Sequence, residues 1–139
     1  MLSVAAMGLD AGELLAEAAA LDAAGADSLW IESGESLDAW MVLGAVAAVT
    51  RSARLGVLGG GDGRGVSTLD WLSRGRVALE EAGWVRLDPP VDRAAWKRQL
   101  AEAGEGVAGV LVAWDPKLVD LLRNPDQEED RQDVHLAQG

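Results

Sequence analysis

Short apolar runs alternate along this chain with stretches whose apolar residues recur every three or four positions, and that alternation predicts strand-then-helix units repeated five times. Leu2 to Leu9, with Val4 and Met7, is a run of strand length. Asp10 follows as a helix cap with Glu13 at the capping-box position. Leu14, Leu15, Ala18 and Leu21 then keep helical spacing, and Gly25 stands where a left-handed residue ends a helix. Ser28 to Ile31 is the second strand. Ser36 or Asp38 opens a helix that turns Trp40, Leu43, Val46 and Ala47 inward as far as Thr50, and Arg54 to Leu58 is the third strand.

The glycine-rich stretch Gly59 to Gly65 contains neither G-x-G-x-x-G nor G-x-x-x-x-G-K and reads as a loop. Ser67 with Asp70 resembles a capping box, so a short helix is predicted from Ser67 to near Ser73 with Leu69 and Leu72 inward. Gly75 supplies a turn, and Val77 to Leu79 is an apolar run suited to a fourth strand covered on both faces. A linker with Pro89 and Pro90 leads to Asp92, the cap of a helix carrying Ala95, Trp96, Leu100 and Ala103 on one side. Val107 to Trp114 is the fifth strand, and Asp115-Pro116 reads as cap and first residue of a helix through Leu122. One domain thus spans residues 1–123, and residues 124–139 form a polar tail.

Five such units imply α/β architecture with a parallel sheet and right-handed crossovers. Two arrangements satisfy the pattern: an incomplete TIM barrel that keeps five of eight units, or a flavodoxin-like open sheet. In the barrel the first and fifth strands, Leu2 to Leu9 and Val107 to Trp114, are open edges without Lys or Pro. A homodimer or higher oligomer is expected to cover them.

Charge and composition narrow the function. A formal charge of −11 repels phosphate backbones and anionic lipid, and the 12 Lys and Arg look scattered, so no nucleic-acid or membrane partner is expected. Absence of Cys removes disulfides, zinc thiolates and thiol catalysis. The N-terminus has no basic region ahead of its apolar run, and no run is long enough to span a bilayer; a soluble, cytoplasmic protein is expected. With no Phe or Tyr, the six Trp are the only large side chains available for a core.

Three ordered motifs carry a family resemblance. Ala24-Gly25-Ala26-Asp27-Ser28-Leu29-Trp30-Ile31 ends a first helix and opens a second strand. Thr50, Arg54, Leu55 and Gly56 form T-x-x-x-R-L-G, and Thr68-Leu69-Asp70 runs on through Leu72-Ser73-Arg74-Gly75-Arg76-Val77 to Gly83-Trp84. In wording and order they resemble the luciferase-like monooxygenases, the bacterial luciferase family. The resemblance implies a shortened TIM-barrel oxidoreductase that uses FMN or the deazaflavin F420. The chain departs from the family in three ways. Glu32-Ser33-Gly34-Glu35 stands where many members carry a His, Glu80-Glu81 replaces a small, glycine-rich strand end, and the family's last strands have no evident counterpart. These departures imply the alternative, a non-catalytic oligomeric interaction or scaffold protein derived from that family, with no cofactor.

Ligands of parallel α/β folds sit beyond the carboxyl ends of the strands. Cofactor contacts are therefore expected at Glu32, Gly59, Gly61, Glu80, Trp84 and Trp114, and no catalytic residue is assigned. Glu32, Glu80 or Glu81, and Asp115 form a candidate acid-base or hard-cation cluster. The simpler reading, in which these acids pair with Arg64, Arg76 and Arg86 or meet water, is favoured, and no metal site is assigned. Trp30, Trp40, Trp71 and Trp96 are read as core or interface, and His135, near Asp130 and Asp133, as a solvated tail residue.

Overall fold

The computed structural model describes residues 10–33, 37–59, 63–80, 83–104 and 106–123, together with the backbone of 2–5. The tail after residue 123, with His135, lies outside the described residues, as do Gly61 and Glu81. Among the described residues five strands, β1 (Leu2–Ala5), β2 (Ser28–Glu32), β3 (Arg54–Leu58), β4 (Trp84–Leu87) and β5 (Gly109–Ala113), alternate with five helices. The helices are α1 (Ala11–Ala24), α2 (Ala39–Val49), α3 (Gly63–Leu72), α4 (Arg93–Ala103) and α5 (Leu118–Arg123). No described helix is long and apolar enough to cross a membrane.

The helix starts follow from aspartates. Asp10, Asp38 and Asp92 are extended residues whose carboxylates accept from the N–H groups of Glu13, of Trp40 and Met41, and of Ala95. Gly25, at φ 99°, closes α1 in the left-handed conformation that favours glycine. The start of α3 differs from expectation. The helix begins at Gly63, and Ser67 is interior, donating its hydroxyl to the Gly63 carbonyl at 3.0 Å, so no capping box forms there. Gly65 explains the early start: a Cβ there would overlap the Trp40 indole, so the glycine lets α3 lie against α2.

All strand pairs are parallel, and the order is β3-β2-β1-β5-β4. This corrects two expectations. The fourth strand is Trp84–Leu87, within what the sequence presents as the approach to a linker, whereas Val77 makes one isolated bridge to Leu55. The first and last strands are not edges either: β1 lies between β2 and β5, with Val4 opposite Leu29 and Val112. Nor is the order that of a flavodoxin-like sheet, 2-1-3-4-5.

The two faces of the sheet are covered differently. Leu29, Leu55, Val57, Val110 and Val112 join Leu21, Leu43, Leu69, Trp96 and Leu118 from the helices in the main core. The opposite face holds a small cluster of Trp30, Leu58, Ala78 and Leu111 with Trp84 against it, to which no helix among the described residues contributes. Two strands separate β2 from β4, which on a flat sheet would keep them about 14 Å apart at about 4.8 Å per step. Yet the Trp30 and Trp84 rings meet edge to face with centroids 5.3 Å apart, and Arg86 Nη1 reaches Glu32 Oε1 at 3.3 Å. The sheet therefore curls strongly around this second cluster.

Candidate functional site

The curl gathers several of the expected site residues: Glu32 and Gly59 at the carboxyl ends of β2 and β3, Glu80 in the segment ahead of β4, and Trp84 at the amino end of β4. Trp30 is 1% exposed, its indole N–H donating to the Ser28 hydroxyl at 2.9 Å, and with Leu58 and Leu111 it floors a hollow of about 160 Å³. Gly56 makes room for that indole, since a Cβ at this position would overlap its six-membered ring. Trp84 walls the hollow, and Glu80 and Arg86 stand at its mouth. Glu80 Oε2 accepts from the Gly59 N–H at 3.3 Å, and Gly59 takes a φ of 80° to present it. Glu32 pairs with Arg86, both side chains substantially exposed, which limits the strength of the pair.

Of the six residues expected to contact a cofactor, Glu32, Gly59, Glu80 and Trp84 converge here. Trp114 does not. It sits on the helix side of the sheet, its indole N–H donating to Glu17 Oε2 of α1 at 3.2 Å. Asp115 is likewise apart, accepting from the Lys117 N–H at 2.9 Å ahead of α5. No group of three or more His, Asp or Glu able to hold a metal occurs among the described residues.

The motif arginine does structural work elsewhere. Arg76 donates to the carbonyls of Ser73, Ala53, Ala47 and Thr50 at 2.7–3.2 Å and to the Thr50 hydroxyl at 3.1 Å. It thereby satisfies the last carbonyls of α2 and places a cation at the negative end of that helix. Close by, Asp22 accepts from the N–H groups of Arg51, Ser52 and Ala53 at 2.6–3.0 Å. Burial pushes its carboxyl up, but those three donors and the nearby Arg76 outweigh burial and hold it below the usual carboxylate value. The fold also gathers basic groups that look dispersed in the sequence: Arg51, Arg74 and Arg76 line one cleft of about 660 Å³ at the ends of α2 and α3.

A third surface stands out. α2 contains no charged or polar side chain, although its outward residues Met41, Ala45, Ala48 and Val49 are exposed. Beside it Leu37, Trp71 and Leu72 are exposed as well, Trp71 to 79%, and a groove between α2 and α3 is lined by Met41, Gly44, Thr68 and Leu72 with Asp38 and Arg64 at its rim. Trp71 is thus not a core residue, whereas Trp30 and Trp96 are, and Trp40 is half-buried against Gly65.

No family model matches the chain, and no curated protein matches it either.

Proposed function

We propose that the chain is a non-catalytic, shortened relative of the luciferase-like monooxygenases that acts by self-association through the α2–α3 face. The single observation that carries the interaction role is the uncharged helix α2, exposed along Met41, Ala45, Ala48 and Val49. A helix that is apolar all round is ordinarily buried, and here part of its circumference is open. Two copies of a patch containing Leu37, Met41, Trp71 and Leu72 would bury on the order of 1,000 Å², close to the lower end of specific interfaces. A second copy suits it better than an unrelated surface of this acidic chain, because a two-fold contact sets uncharged helix on uncharged helix.

The strand order supports the barrel part of this reading. The order of the Val77 segment, β3, β2, β1, β5 and β4, with helices on the outside and a tryptophan cluster within the curl, matches a barrel missing two middle units. In that reading β5 and β4 stand for the last two strands rather than for the fifth and fourth.

The residues at the strand ends do not fit a flavin or deazaflavin. The hollow of about 160 Å³ is smaller than the 300 Å³ or so at which ligand sites begin, and it is near the size of a cavity that takes benzene. Trp30 and Trp84 occupy the centre of the curl. Arg86, the cation at the mouth, is paired with Glu32, and Glu80 stands beside it to repel a cofactor phosphate.

Sedimentation equilibrium at micromolar protein should give twice 14.5 kDa, and Met41→Glu with Leu72→Glu should return the protein to a single 14.5 kDa species. A wild-type protein that stays at 14.5 kDa overturns self-association. Titration with FMN and with the deazaflavin should leave tryptophan fluorescence unchanged up to millimolar ligand, and saturable quenching would overturn the non-catalytic reading.

A further inference from the structure

We infer that the cleft between the C-terminal ends of α2 and α3 binds a small phosphate monoester with an apolar body. The cleft borders the self-association face proposed above and shares Ala48 and Leu72 with it, whereas its polar side, Thr50, Arg51, Ser73, Arg74 and Arg76, lies outside that face. Its lining is unusual for a chain of charge −11: Arg51, Arg74 and Arg76 with Thr50 and Ser73 on the polar side, Ala47, Ala48 and Leu72 on the apolar side, and no carboxylate among the described residues. At about 660 Å³ it lies within the range of small-molecule sites.

The three arginines are not equivalent. Arg76 is spent on backbone carbonyls and the Thr50 hydroxyl, so it contributes a fixed positive charge to the cleft wall without a free donor. Arg51 and Arg74 are exposed, and among the described residues neither guanidinium makes a hydrogen bond or ion pair. The nearest carboxylate across the Arg51 turn, Asp22, has its oxygens turned to three backbone N–H groups.

Helix capping does not account for the two free arginines. The end carbonyls of α2 are met by Arg76. Those of α3 are met by the N–H groups of Ser73, Arg74 and Gly75, which donate to Leu69, Trp71 and Asp70. Arg74 is moreover the one described non-glycine residue held at positive φ, 59°, a conformation in which glycine or asparagine would cost less.

Two unpaired guanidinium groups on one cleft, beside a third fixed cation, offer the charge and the donors that a phosphate dianion takes up more strongly than a single carboxylate does. The wall of Ala47, Ala48 and Leu72 then receives the apolar part of the ligand.

Titrating phenyl phosphate, inorganic phosphate and benzoate against the backbone amide resonances tests this. Phenyl phosphate should shift Arg51, Ser52, Arg74 and Gly75 and bind about tenfold more tightly than either other probe, the apolar wall separating it from phosphate and the charge from benzoate. Arg74→Gly relieves the strained backbone, so its thermal midpoint should hold or rise while phenyl phosphate affinity falls about tenfold or more. Arg51→Gln, which breaks no recorded contact, should show the same loss. Absence of shifts at millimolar phenyl phosphate, equal binding of benzoate, or unchanged affinity in either variant overturns the assignment.

Discussion

Arg76 donates to both the hydroxyl and the carbonyl of Thr50, at 3.1 and 3.2 Å, and so fastens the segment after α3 to the end of α2. Arg76→Met should destabilise the fold by about 3 kcal/mol, because several carbonyls lose a charged donor together. Arg76→Lys should recover only part of that, since an ammonium cannot reproduce the fork. Urea denaturation of both variants gives the comparison, and equal stability of the Lys variant and the wild type would contradict it.

Gly56 and Trp30 form a second coupled pair. Gly56→Ala drives a methyl group into the indole and should cost about 2 kcal/mol. Combining it with Trp30→Leu should make that cost vanish or fall well below its value alone. A double-mutant cycle reads the coupling, and strictly additive effects would show that the two do not share the space described.

Asp22 makes stability depend on acid pH. Its carboxyl is held below the ordinary value of 3.8, so its contribution is fully present above that pH and is lost as pH falls through the lowered folded value. Asp22→Asn should destabilise the protein at neutral pH by about 1–3 kcal/mol, as three N–H groups lose a charged acceptor. Below pH 3.8 the difference between the two proteins should shrink. Thermal midpoints measured from neutral pH downwards test both the sign and the window.

Trp84 reports on the hollow. Trp84→Ala should cost about 2–4 kcal/mol and enlarge the space above Trp30, leaving self-association through α2 and α3 untouched. Denaturation and sedimentation of the same variant separate the two surfaces, and loss of the dimer would show that they are coupled.

Local signals in the sequence were strong where one residue decides an outcome. Asp10, Asp38 and Asp92 cap as their spacing implies, Gly25 terminates α1, β3 and β5 lie within the apolar runs that suggest them, and β2 runs one residue beyond its run, to Glu32. β4 escaped because Trp84–Leu87 is four residues long, half-buried, interrupted by Arg86 and followed by Pro89 and Pro90. The start of α3 escaped because Gly65 reads as loop composition, while its reason is the Trp40 ring of another helix. Strand order could not be read locally at all: nothing near Leu2 announces Val110 as its neighbour. At the site, the strand-end rule found Glu32 and Gly59, while Glu80 and Trp84 were reached through an expected strand at Val77 to Leu79 that is only an isolated bridge, Trp84 in fact opening β4. It could not foresee that the curl would bring Arg86 to Glu32 and lay Trp84 on Trp30.

The place of β1 between β2 and β5 sets a timetable for folding. Its second neighbour lies more than 100 residues downstream, Leu2 pairing with Val110, so one flank of β1 stays open until nearly the whole described chain has emerged from the ribosome. A nascent chain halted before Gly109 carries β1 as a bare edge and β4 without its neighbour β5. Release of the C-terminal segment is then the step that commits the sheet. Slow translation ahead of Gly109 prolongs the interval in which the chain is open to pairing with another copy, and a chaperone that shields the N-terminal strand would act in that interval.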